Sequence, residues 1–169
     1  RGRAGPGGRG VKRGSIAMVR CGRAIAALIV ALDQASKWWL LDLMGRDPRV
    51  IEIAPFFNLV LGLNRGVSFG MFDSAALGPW PLLLLAASIT VGLLVWLAKA
   101  GQRWTATALG MIIGGAVGNA IDRVRFGGVV DFLDFHAFGR HWPAFNVADS
   151  AICIGVAMIL IESLLARRR

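Results

Sequence analysis

The sequence predicts an all-α membrane protein with four transmembrane helices, a small extracytoplasmic β-subdomain and a short interfacial amphipathic helix. Three observations predict it. Apolar residues make up 56% of the 169, and mean hydropathy is +0.61, a bias that a charged soluble domain does not carry. Basic residues gather in alternate connecting segments, and the six tryptophans sit near the ends of the apolar runs.

In chain order, residues 1–23 hold seven of the nineteen basic residues together with many glycines. They read as a basic, disordered cytoplasmic tail, with Met18 as a natural start. Residues 24–169 read as one domain. Its spans cover residues 24–41, 81–98, 105–121 and 150–166, each about 17 or 18 residues long, the lower end of what crosses a hydrocarbon core of roughly 30 Å. A cleaved signal peptide fits the first run poorly, because its polar cluster "DQASK" is followed by "WWLLDLM". Segments 42–80 and 122–149 are the expected extracytoplasmic connections. In the first, "RVIEIAPFFNLVLGLNRGVSFGMF" mixes β-branched and aromatic residues with Gly, Pro and Asn, which predicts short strands resting on the outer leaflet. Gly110, Gly114 and Gly118 recur every four residues along the third span as a smooth packing stripe. In "DFLDFHAFGR" the spacing of Phe132, Phe135 and Phe138 predicts the interfacial helix.

The net charge of +9 invites a nucleic-acid reading, which its placement argues against. A binding module carries its basic stripe on one face of a soluble fold. Here the residues before Ala24, the 99–104 loop and Arg167 to Arg169 are basic, whereas 42–75 and 122–149 each carry three basic and four acidic residues. By the positive-inside rule both termini lie in the cytoplasm. Cys21 and Cys153 are too few and too far apart for a disulfide framework or a metal site.

Removing the spans leaves polar groups at or within the membrane edge: Asp33, Lys37, Asn64, Asn119, Asp122, Arg123, Asp131, Asn146 and Asp149. By the same rule all but Asp33 lie toward the outer face. Ionisable groups in apolar surroundings are costly and usually face a bundle interior. Each has a plain reading. Asp33 and Lys37, four apart, form an ion pair on one helix face. Asp149 caps the fourth span. Asn119 and Arg123 share a face, and the guanidinium braces a carboxylate or anchors at the interface. Singly, none of these signals is specific.

Taken together they are. "DQASK", "NRGVSFG", "GNAIDR", "VVDF" and "FNVADS", in this order on a four-span chain, resemble the lipoprotein signal peptidases, the type II signal peptidases of bacteria. The resemblance implies an aspartyl endopeptidase of the bacterial inner membrane, its active site toward the extracytoplasmic face. It would cut the signal peptide from diacylglyceryl-modified prolipoproteins on the N-terminal side of the lipidated cysteine. It implies Asp131 and Asp149 as the catalytic pair, with Asp33, Lys37, Asn64, Asn119, Arg123 and Asn146 lining or bracing the site. Asp134 in "FLDF" is the rival to Asp131, and only the motif match separates the two. No cofactor or metal is expected, nor nucleic acid; the partners are the prolipoprotein and membrane lipid, and the chain is expected to act as a monomer. Two nearby carboxyls sharing one proton supply both a base for water and an acid for the leaving amine.

Other chemistries fit less well. "GVSFG" matches the GxSxG pattern, but the strand, turn and helix of a nucleophile elbow are not predicted around it. Ser36 and Lys37 are adjacent and point about 100° apart on a helix. His136 and His141 lack an HExxH context. A transporter would mark a polar path across the bilayer, whereas these groups gather on one side.

Overall fold

The computed structural model describes residues 7–45, 47–66 and 80–167. Its elements run α1 (Gly7–Met44), β1 (Ile51–Ala54), β2 (Phe57–Asn64), α2 (Trp80–Ala98), α3 (Arg103–Phe126), β3 (Val129–Ala137), β4 (Arg140–His141) and α4 (Val147–Ala166). Of the helices, α2, α3 and α4 are long and apolar enough to cross a membrane. The first helix starts at Gly7, so residues 7–23 are helical where a disordered tail was expected. No proline interrupts the chain there, and an established helix propagates at one hydrogen bond per added residue.

The helices are arranged inside out relative to a soluble bundle. Large side chains such as Leu84, Val91 and Leu160 point outward, and all six tryptophans are between 46% and 69% exposed, as lipid-facing groups and interfacial aromatics require. The interior is built instead from small residues along α3. A β-carbon at Gly114 would lie 2.7 Å from the Ala26 carbonyl oxygen of α1, and one at Gly110 would collide with that of Gly22. On the other flank of α3 a β-carbon at Gly115 would strike the Ala148 carbonyl of α4. Close backbone approach substitutes here for the packing of large side chains.

Two apolar clusters close the ends of this bundle. Leu97, Ala106, Leu109 and Ile113 form one. The other joins Leu40 and Met44 of α1 to Leu59 and Phe132 of the sheet, and each fully buried Leu or Met there contributes about 1.5–3 kcal/mol. The sheet is antiparallel, in the order β1-β2-β3-β4. On β2 the register shifts between Leu59 and Gly62, opposite the stretch of β3 that ends at Asp131. A bulge of this kind twists the strand and re-aims the side chains beside it.

The expected amphipathic helix is a strand. "DFLDFHA" belongs to β3, whose β-branched start and aromatic residues favour a pleated surface and whose backbone pairs with β2. The Phe spacing has another cause. Phe135 stacks between Phe57 and Phe145, with ring centroids 4.7 and 5.8 Å away. Phe138 and Gly139 take positive φ, 53° and 73°, as the two-residue turn between paired Ala137 and Arg140. Beyond it the chain returns to β3 through a bridge in which Phe145 and Leu133 exchange hydrogen bonds of 3.1 and 2.8 Å.

Candidate functional site

Lys37 and its two aspartates form the floor of a polar layer where the helices meet the sheet. Its Nζ lies 2.8 Å from Asp33 Oδ2 and 2.7 Å from Asp122 Oδ2, and all three side chains are at most 1% exposed. It also donates to Asn119 Oδ1 at 3.2 Å, so each of its three protons has an acceptor. The two carboxylates also stitch the fold together. Asp33 Oδ1 accepts from the Ala148 amide in the first turn of α4 at 3.0 Å, and Asp122 Oδ2 accepts from the Val130 amide of β3 at 3.1 Å. Asp33, placed apart from the other polar residues by sequence, therefore belongs with them. Gly118 makes this possible, since a β-carbon there would sit 2.6 Å from Asp33 Oδ2.

Above this layer lie Asp131 on β3 and Asp149 in the first turn of α4. Asn146 holds both. It is the N-cap of α4, and its Oδ1 accepts from the Asp149 amide at 2.9 Å while its own amide donates to Asp149 Oδ2 at 3.3 Å. Its Nδ2 donates to Asp131 Oδ1 at 2.7 Å. The cap expected at Asp149 is thus made by Asn146, with Asp149 as the reciprocal partner three residues on. Asn119 Nδ2 donates to Asp149 Oδ1 at 2.7 Å, and Asn64 Nδ2 to Asp131 Oδ2 at 3.1 Å.

Both acids line one cavity of about 710 Å³, together with Asn64, Arg123, Trp142 and Cys153. Among the described residues neither has an ion-pair partner. Arg123 donates from Nη1 to the Asn119 carbonyl at 3.3 Å, while its Nε is buried without a hydrogen-bond partner. Burial pushes the Asp131 carboxyl up, and the charge of Asp149 pushes it further. Hydrogen bonds from Asn64 and Asn146 and the charge of Lys37 oppose this, leaving it at about 6. Such a group changes charge within the physiological range, as acid-base chemistry requires.

Asp134 is differently placed. Three residues along a strand from Asp131, it projects from the opposite face, where His141 Nδ1 lies 2.9 Å from its Oδ1 and Asn58 Nδ2 donates to its Oδ2 at 3.1 Å. Burial alone would raise its pKa, but these bonds outweigh it and the net shift is downward. It does not line the cavity that Asp131 shares with Asp149.

Several sequence readings fall elsewhere. Residues 67–79, which carry most of "GVSFG", lie outside the described residues. Ser36 Oγ donates to the Asp33 carbonyl at 2.8 Å, and Lys37 is engaged by acids. His136 stacks on His141 with centroids 4.9 Å apart. Gln34 was not singled out by sequence, yet its Nε2 donates to Asp122 Oδ1 at 3.0 Å and to the Gly118 carbonyl at 3.3 Å. Its position inside "DQASK" was the available signal. Cys153, four residues after Asp149 and so on the same helix face, is a free thiol.

The chain is similar to known proteins over most of its length. Residues 25–165 match the family model described as signal peptidase (SPase) II. The lipoprotein signal peptidase of Methylobacterium sp. (strain 4-46) is 47% identical over 152 residues, covering 88% of this chain and 91% of that protein. That of Methylorubrum extorquens (strain PA1) is 46% identical over 149 residues, 86% of each. Among solved structures, a bacterial membrane enzyme determined by the in meso method at 2.3 Å superposes with a TM-score of 0.72 at 32% identity, covering 85% of this chain and 87% of that one.

Proposed function

The chain belongs to the signal peptidase II family, and on that premise we propose that it removes the signal peptide from diacylglyceryl-modified prolipoproteins by aspartyl acid-base catalysis. Asp131 and Asp149 are the catalytic groups. The observation that supports this reading is the shared cavity, in which two carboxylates are held by neutral amides and, among the described residues, neither has a cation within ion-pair distance.

The scissile bond, N-terminal to the lipidated cysteine, enters that cavity while the diacylglyceryl chains stay in lipid. Asp149, anionic, takes a proton from a water placed between the two acids. Asp131 holds the shared proton, because burial and the charge of Asp149 raise its affinity for it, and a peptide covering the site raises it further by excluding water. It donates to the carbonyl oxygen as the water oxygen bonds to the carbon. When the tetrahedral intermediate collapses, the proton held by Asp149 passes to the leaving amine, the C–N bond breaks, and one hydroxyl of the diol returns its proton to Asp131 as the new carbonyl forms. Arg123, with Nε free of protein partners, binds a substrate carbonyl, and Asn64 fixes Asp131. General acid-base help of this kind contributes about 100- to 10,000-fold.

In this reading α1 is the fourth span, carrying its buried Asp33–Lys37 pair within the bundle. The basic 99–104 loop and both termini face the cytoplasm, and the sheet and cavity lie at the outer face of the inner membrane. The protein acts as a monomer. Purified protein in detergent should cleave a diacylglyceryl-modified precursor equally well with and without a chelator, and leave the unmodified precursor intact. Loss of cleavage with chelator would indicate a metallopeptidase. No cleavage in either condition would overturn the peptidase reading and favour transport through the polar layer.

A further inference from the structure

Between α2 and α3 runs an apolar groove that the proposed peptidase chemistry does not use. The two helices pack tightly at one end, where Leu97 is the only buried residue of α2. Toward Trp80 they part, leaving a space of about 690 Å³. Its walls are Leu83, Ala87 and Val91 on one side and Val117, Ala120 and Val124 on the other. From Trp80 to Val91 is about 16 Å at 1.5 Å per residue, close to the roughly 15 Å of one hydrocarbon leaflet. The groove is therefore as deep as a single extended acyl chain in that leaflet.

Arg125 heads it, at the end of the bundle that holds the Asp131–Asp149 cavity. Arg123 faces that cavity, and two residues further along, about 200° round the helix, Arg125 faces the groove. The groove is thus separated from the cavity by the width of α3. Among the described residues no carboxylate lies within ion-pair distance of Arg125. Its guanidinium rests 5.2 Å from the Trp38 ring centroid and 4.9 Å from that of Phe126, and Nη1 meets Gln34 Oε1 at 3.5 Å. Aromatic faces hold the guanidinium in position without neutralising it, which leaves donors free for an anion with bidentate geometry. A fixed, unneutralised cation above an acyl-length apolar groove matches a lipid that carries negative charge at its head.

We propose that the α2–α3 groove is a binding site for one anionic glycerophospholipid of the surrounding bilayer, an acyl chain lying between the helices and the phosphate on Arg125. Through Gln34, which also donates to Asp122 Oδ1, the bound head group touches the hydrogen-bond network beneath the two cavity acids.

Retention of lipid, measured by native mass spectrometry, tests this without any cleavage assay. Delipidated protein is given phosphatidylglycerol or phosphatidylcholine with identical acyl chains. Wild type should retain the anionic lipid about tenfold better, because the choline cation of the other lipid sits beside the same phosphate and offsets its attraction to Arg125. Arg125→Gln should bring that ratio to about one with no change in melting temperature in detergent. Ala120→Leu, which fills the apolar wall, should lower retention of both lipids while keeping their ratio. Equal retention by wild type, or a preference that survives Arg125→Gln in folded protein, would overturn the proposal. Stoichiometric displacement of the lipid by a diacylglyceryl-modified precursor would also overturn it, assigning the groove to the substrate.

Discussion

Two pairs of aspartates share one polar layer and are held in opposite ways. Asp33 and Asp122 close on Lys37 at 2.8 and 2.7 Å and are fully buried. Asp131 and Asp149 accept from the amides of Asn64, Asn119 and Asn146 and open onto a cavity, and among the described residues neither has a cation within ion-pair distance. A buried cation compensates a carboxylate for its lost hydration, whereas neutral donors leave much of that cost standing. The kind of partner, more than the depth of burial, separates acids that brace the fold from acids able to do chemistry.

The largest effect expected from this contrast is kinetic. Asp131→Asn or Asp149→Asn should cut precursor cleavage about 100- to 10,000-fold with little loss of melting temperature. Asn at 149 keeps an oxygen for the Asn146 amide, so the helix start survives. Near-full cleavage by Asp149→Asn would reduce that residue to a helix-capping role.

Next comes stability. Lys37→Met leaves two buried carboxylates without a cation and should cost about 3–5 kcal/mol, read as a lower melting temperature in detergent. Adding Asp122→Asn should recover part of it. A Lys37→Met protein as stable as wild type would erase the distinction between the pairs.

The smallest effect is a pH dependence carried by Asp131. Its folded pKa of about 6 lies above its ordinary value of 3.8, so the folded state binds the proton more tightly than the unfolded state. The stability this gives is complete below about pH 4 and lost as pH rises through about 6. Asp131→Asn should lack that decline, and its melting temperature should gain on wild type between pH 5 and pH 8. Parallel melting profiles would show that Asp131 is not held in this way.

Much of this was legible in the residues. The apolar runs located four helices, the i, i+4 spacing placed Lys37 beside Asp33, and the glycine stripe marked the closest helix contact. The three-residue aromatic spacing of β3 fits a helix as well as a strand until pairing with β2 is known. Asp122 as second partner of Lys37, and Gln34 as a donor to Asp122, depend on side chains of α1 and α3 meeting across the bundle, which no local pattern encodes. Asp131 and Asp134 are chemically equivalent in the sequence. Strand alternation separates them only once β3 is known to be a strand.

The bridge between Leu133 and Phe145 pins the base of the hairpin just beyond Asp131 and just before Asn146. The hairpin distal to that clasp carries neither acid, yet Trp142, Pro143 and Ala144 on its returning arm wall the cavity, so a change at the tip would alter the shape of the entrance before it altered the spacing of Asp131 and Asp149.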